Sequence, residues 1–207
     1  MILNEALFMG IKELNSFGIE ESTMKAKIIM CNVLNVTKEY LLIHGNEEFP
    51  IQKLNEYMEK ISRICDREPI QYITNLQSFY GIDFYVNENV LIPQPDTEIL
   101  VEETIKIIRK ENKELKILDL CTGSGAIAVC LEKEKNTSVV ASDISKKALE
   151  VAKRNCTLNN SNIKLIESNL FENIQGTFDI IVSNPPYIET DTINTLSEEV
   201  KKEQKIA

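Results

Sequence analysis

The chain is poor in metal-binding side chains and in positive charge. Its 207 residues include one histidine, His44, and five cysteines, Cys31, Cys65, Cys121, Cys130 and Cys156, with no C-x-x-C pair among them. An odd, scattered set of this kind offers neither a zinc framework nor a disulfide scaffold, and it reads as buried or incidental thiols of a reducing cytoplasm. Lys and Arg number 23 against 32 Asp and Glu, for a net charge of −9 and a pI near 4.9. Affinity for nucleic acid rests largely on phosphate contacts, so the lack of a basic face disfavours free DNA or RNA as a direct partner. No apolar run approaches the roughly 20 residues of a membrane span. Met1-Ile2-Leu3-Asn4-Glu5 lacks the basic segment of a secretory signal, and repeats and low-complexity tracts are missing as well. The remainder, 43% hydrophobic and 27% charged, is ordinary for a globular protein of one large or two modest domains.

The apolar pattern divides the chain. Over residues 1–67 it is helical: Leu3, Leu7, Ile11 and Leu14 share one spacing, and Phe17-Gly18 supplies a stop. A second helix starts near Ser22 and buries Ala26, Ile29, Met30 and Val33. Thr37 caps a short third helix, and Pro50 at a first helical position opens a fourth. This small all-α domain is either a structural cap or a substrate-recognition domain. Residues 68–95 form a linker in which Phe79–Val86 and Val90–Ile92 read as strands joined by a turn at Asn87-Glu88-Asn89. From residue 96 a helix, capped by Asp96-Thr97, runs to about Arg109. Strand-like runs then follow at Leu115–Cys121, Ser138–Asp143, Ile163–Glu167 and Phe178–Ser183, with helical patterns at Ala126–Lys133 and Lys146–Asn155. Alternation of this kind predicts an α/β, Rossmann-like open parallel sheet over residues 96–207. Twenty residues follow Tyr187, too few to complete a doubly wound sheet, so the expectation is a fragment lacking its C-terminal strands.

The loop Asp119-Leu120-Cys121-Thr122-Gly123-Ser124-Gly125 stands where an open parallel sheet binds ligands, at a strand's carboxyl end opening into a helix. No Gly-Lys-Ser/Thr follows, which rules out a Walker phosphate loop. Ala128 occupies the last position of the dinucleotide fingerprint, so a nicotinamide enzyme remains a weak rival, and a plain structural turn is the bland one. S-adenosylmethionine is the cofactor that suits the loop best. Asp143, ending the second strand, is placed to accept hydrogen bonds from both ribose hydroxyls, or to cap the helix that follows together with Ser145. Past the third strand, Leu170 and Phe171 are candidates to wall the adenine, and Asn169 to bond its amino group.

Asn184-Pro185-Pro186-Tyr187 closes the last strand. An amide or aromatic amino nitrogen is a poor nucleophile because its lone pair is delocalised. The Asn184 side-chain oxygen and the Pro185 carbonyl supply two acceptors for its two N–H groups, the prolines stiffen the turn, and Tyr187 packs on the flat target. Positioning and electrostatics then carry methyl transfer without a metal. The bland alternative is a strand-to-loop turn.

Together these residues resemble the HemK (PrmC) family of peptide-chain release factor glutamine-N5 methyltransferases. The most diagnostic stretches are Arg67-Glu68-Pro69-Ile70-Gln71-Tyr72-Ile73, Phe79-Tyr80-Gly81 and Val90-Leu91-Ile92-Pro93-Gln94-Pro95-Asp96-Thr97-Glu98. The resemblance implies a helical N-terminal domain, a β-hairpin linker and a Rossmann-like methyltransferase domain. It implies an enzyme that methylates the glutamine of the Gly-Gly-Gln motif in class I release factors and leaves S-adenosylhomocysteine. By position, Cys121, Thr122, Gly123, Ser124, Gly125, Asp143, Asn169, Leu170 and Asn184 are then expected at the cofactor. Asn184, Pro185, Pro186 and Tyr187 are expected to hold the glutamine and to be catalytic. Three positions depart from the family's usual pattern: Gln94 stands for arginine, Asn169 for aspartate and Cys121 for glycine. The alternatives are an N-methyltransferase acting on a ribosomal protein glutamine or on adenine N6, and an inactive cofactor-binding fragment.

Overall fold

Apolar residues recurring every three or four positions make the N-terminal segment helical. In the computed structural model, which describes residues 1–185, this segment forms α1 (Leu3–Ser16), α2 (Ser22–Leu34), α3 (Lys38–Ile43), a 3-10 turn (Ile51–Lys53), α4 (Leu54–Cys65) and α5 (Ile70–Thr74). Thr37 caps α3, its hydroxyl accepting from the Tyr40 amide at 3.2 Å. Pro50 precedes the 3-10 turn instead of opening α4. Leu3, Ala6, Gly10 and Leu14 are the buried residues of α1, and Leu7 and Ile11 pack partly buried against the same core. The ring of Tyr57 in α4 lies so close over Gly10 that any Cβ there would collide with it. This first compact unit spans Met1–Thr74, seven residues beyond the expected boundary, because α5 belongs to it.

The second unit begins at Asn75. Its hairpin pairs β1 (Gln77–Phe79) with β2 (Ile82–Phe84), antiparallel. This corrects the expectation of a strand through residues 79–86 paired across Asn87-Glu88-Asn89. The turn is instead Tyr80-Gly81, with φ of +51° and +72°, the left-handed pair that a two-residue hairpin loop requires. The Glu98 carboxylate accepts the Tyr80 amide at 2.8 Å and holds that turn. Asn87 accepts from the Asn89 amide at 3.0 Å, a local side-chain turn, and Val90–Ile92 is irregular.

Four parallel strands form the sheet, in the order β5 (Lys164–Glu167), β4 (Thr137–Asp143), β3 (Leu115–Leu120), β6 (Ile180–Ser183). Chain order runs outward from β3 to β4 and β5 on one side, then returns to place β6 on the other. The switch point therefore falls between β3 and β6, and ligands of open sheets bind in the crevice outside the carboxyl ends at such a point. The helices are α6 (Pro95–Ile108), α7 (Ala126–Glu132) and α8 (Lys146–Leu158). Gln94 is the N-cap of α6 and Pro95 its first residue, so Asp96-Thr97 lie inside the helix rather than capping it. A proline there costs no hydrogen bond and presets φ. Ile117, Val139, Ala141 and Val182 of the sheet are buried, with Val101, Ile105 and most of α7 packed in the same core. Among the described residues no helix is long and apolar enough to cross a membrane.

Candidate active site

After β3 the chain passes through Cys121, Gly123 and Gly125 at φ of +62°, +53° and +80° and enters α7. The two glycines serve different ends. A Cβ on Gly125 would stand 3.1 Å from Ala152 Cβ and 3.3 Å from its Cα, so this glycine lets α8 pack against the loop. A Cβ on Gly123 would meet nothing within 4 Å; it would project into open space. The Thr122 amide donates to the Ser142 carbonyl at 2.9 Å and fastens the loop to β4.

Two carboxylates support the loop. Asp143 accepts from the Gly123 amide and from the Ser145 amide, both at 2.9 Å. One bond on each oxygen leaves an acceptor position on each. The helix cap itself is Ser145, whose hydroxyl accepts from the Ala148 amide at 3.2 Å. Asp119 is fully buried and accepts from Thr122 Oγ1 at 2.6 Å through Oδ2. Burial pushes its carboxyl up to about 7 against the pull of the Thr122 hydroxyl and the nearby Ala128 amide, and the Asp143 charge adds to the rise. Its Oδ1 has no hydrogen-bond partner, and neither does the buried Ser142 hydroxyl.

Asn155 of α8, also fully buried, joins the loop to the segment after the hairpin. Its Nδ2 donates to the Ser124 carbonyl at 2.8 Å and the Tyr85 carbonyl at 2.9 Å, and its Oδ1 accepts from the Tyr85 amide at 2.7 Å. Arg154 stacks over the Tyr85 ring, 3.5 Å from its centroid.

Beside the loop lies an open cleft of about 60 Å³. Cys121, Thr122, Gly123 and Ser124 line it from the loop, Phe79, Pro93, Gln94 and Thr97 from the linker and α6, and Asn184 from the end of β6. Burial pushes the Cys121 thiol up, so it stands there as a neutral group and not as a nucleophile. Ser183 donates to the Leu120 carbonyl at 2.6 Å and locks β6 beside β3. The Asn184 amide then donates through Nδ2 to Thr97 Oγ1 at 3.0 Å. Pro185 follows, exposed to solvent, and Pro186 and Tyr187 lie outside the described residues.

Of the expected cofactor residues, Cys121–Ser124 and Asn184 meet in the cleft, with Asp143 bonded to Gly123, and Gly125 lies outside its lining, against Ala152. Asn169 and Leu170 do not line it: the Asn169 side chain donates to Glu172 at 2.9 Å and the Leu170 side chain is exposed. That segment nevertheless adjoins Asp143, whose carbonyl accepts the Ser168 amide at 2.9 Å. Sequence reasoning passed over Asp119, Asn155 and the contact of Thr97 with Asn184. Only Asp119 carried a signal, an acid inside an apolar strand. The other two act on partners distant in the chain.

Residues 95–203 match the methyltransferase small domain family, and residues 5–74 match the PrmC N-terminal domain. A release factor glutamine methyltransferase of Koribacter versatilis is 36% identical over 97% of this chain and 72% of its own length. The chain belongs to the HemK (PrmC) family. A Fusobacterium nucleatum relative of the same name is 41% identical over 93% of this chain and 55% of its own length. A Rickettsia typhi bifunctional methyltransferase is 38% identical over 94% of this chain and 42% of its own. The chain therefore spans about half the length of these last two curated relatives. S-adenosylmethionine is the HemK methyl donor, and two features of the loop fit it. Open space fronts Gly123, and Asp143 keeps free acceptor positions.

Proposed function

We propose that this chain transfers the methyl group of S-adenosylmethionine to the side-chain amide nitrogen (N5) of the glutamine in the Gly-Gly-Gln motif of class I peptide chain release factors. The observation that carries this reading is the meeting of Asn184 with the glycine loop in one cleft at the switch point of the sheet. The names of the relatives supply the substrate.

When bound, the cofactor supplies an electrophilic methyl on a sulfonium. The residues of the chain do the rest. Gly123 admits close backbone approach, and Asp143 offers its remaining acceptor positions to the ribose hydroxyls. Asn184 Oδ1 and the Pro185 carbonyl accept hydrogen bonds from the two N–H groups of the glutamine amide, which turns its nitrogen lone pair toward the methyl carbon; one N–H proton is released to solvent as the N-methyl amide forms, and Pro186 and Tyr187 hold the amide alongside Asn184. Catalysis is then a matter of alignment and of preorganised acceptors. The same reading makes the release factor the partner and the cytoplasm the site of action, in keeping with five free cysteines.

Methyl transfer to a purified, unmethylated release factor, with the modified residue mapped by tandem mass spectrometry, tests the proposal. Methyl on the Gly-Gly-Gln glutamine is expected, and Asn184→Ala should lower the rate on the order of a hundredfold while leaving the fold intact. Transfer that persists in the folded variant, or that lands on another residue, defeats the reading.

A further inference from the structure

We infer that Thr97 is a positioning residue that sets which end of the Asn184 carboxamide faces the reacting group. The inference rests on the role given to Asn184 under the proposed function. A substrate amide NH₂ is donor only, so Asn184 helps it only through Oδ1. A half-turn of the Asn184 carboxamide about its terminal torsion presents Nδ2 instead, donor against donor, and that torsion is intrinsically soft. Something must hold it.

The structure supplies one partner. Asn184 Nδ2 donates to Thr97 Oγ1 at 3.0 Å, both residues are part-buried, and both line the same cleft. With Nδ2 engaged there, Oδ1 is the end left for a ligand. Thr97 is itself fixed. It sits in the first turn of α6, its amide donates to the Gln94 carbonyl at 3.0 Å, and Pro95 presets the entry to the helix. The next residue, Glu98, grips the hairpin turn at Tyr80. Thr97-Glu98 therefore anchors the target-side asparagine with one residue and the cleft-wall hairpin with the other. This gives the distinctive Pro95-Asp96-Thr97-Glu98 segment a use that capping the helix did not.

A hydroxyl both donates and accepts, so the orientation has its own test. Side-chain amide NMR signals of Asn184 are compared in the wild-type chain, in Thr97→Val, which keeps the shape and loses the hydroxyl, and in Thr97→Ser, which keeps the hydroxyl. The expected result is one protected Asn184 NH₂ proton that loses protection in Thr97→Val and regains it in Thr97→Ser. In methyl transfer, Thr97→Val should lower kcat about ten- to a hundredfold with KM for S-adenosylmethionine changed much less, and Thr97→Ser should recover most of the loss. Asn184 NH₂ protons that are unprotected in the wild type, or indifferent to Thr97→Val, overturn the orientation. A kcat for Thr97→Val within twofold of wild type overturns the positioning role. A wild-type chain that transfers no methyl group overturns the proposed function, and the positioning role with it, whereas the NMR comparison still decides the orientation separately.

Discussion

The two ends of the four-stranded sheet use polar groups in opposite ways. Around the carboxyl ends of β3, β4 and β6, several buried or half-buried polar side chains bond to backbone: Asp143 to Gly123 and Ser145, Ser183 to Leu120, and Asn155 of α8 to Tyr85 and Ser124. At the opposite end, charges pair with charges in solvent: Arg109 bridges to Glu134, and Lys113 to Asp179, with Asp179 also accepting the Lys116 amide at 2.9 Å. The first arrangement fixes the shape of a loop that is otherwise unfavourable. The second holds strand ends that the apolar core already specifies. The contrast indicates where the fold tolerates change and where it does not.

Gly125→Ala should break the carboxyl end most severely. It adds left-handed strain at φ +80° and a contact near 3.1 Å with Ala152; together these should cost about 2–4 kcal/mol, read as a lower midpoint in urea unfolding, and should abolish the thermal shift given by S-adenosylhomocysteine. Asp119→Asn sharpens the comparison through pH. A carboxyl raised to about 7 in the folded chain stabilises most fully below its unfolded value, near 4, and that stability is lost as pH rises through about 7. Wild type should therefore lose on the order of a few kcal/mol between pH 4 and pH 8 relative to Asp119→Asn, measured as the difference between their unfolding curves. Equal slopes would remove the assignment of this proton to Asp119. At the other end, Lys113→Ala deletes a solvent-exposed partner and should change stability by less than about 1 kcal/mol. A larger loss would show that the amino end is held by charge after all.

Much of the fold is legible in the sequence because it rests on local pattern. The strand and helix positions of the sheet follow from apolar runs broken by turn residues, and the glycine loop fell at the end of β3. The hairpin was misjudged because aromatic and apolar residues continue through its turn, and Tyr80 in the left-handed region carries none of the Asn-Gly or Asp-Gly spelling that marks such loops. Thr97 reads as a cap because its hydroxyl stands next to a helix start; its bond is instead to a residue 87 positions away. Asn155 reads as the polar end of a helix, and only tertiary structure reveals the backbone it serves. In the site, residues marked by a local motif or a strand end (the glycine loop, Asp143 and Asn184) are readable, and Asn155 and Thr97, whose partners lie far along the chain, are not. Leu170 and Asn169 were expected by position alone, and their side chains are engaged or exposed outside the cleft.

Asn155 also bears on how this unit opens. One carboxamide occupies the Tyr85 amide and carbonyl and the Ser124 carbonyl together, so the linker cannot peel away without stranding a donor or acceptor beside the cofactor loop. The two segments are thereby one cooperative unit. Hydrogen exchange at the Tyr85 amide, in a stretch with no direct role in binding, becomes a reporter of loosening in the cofactor loop.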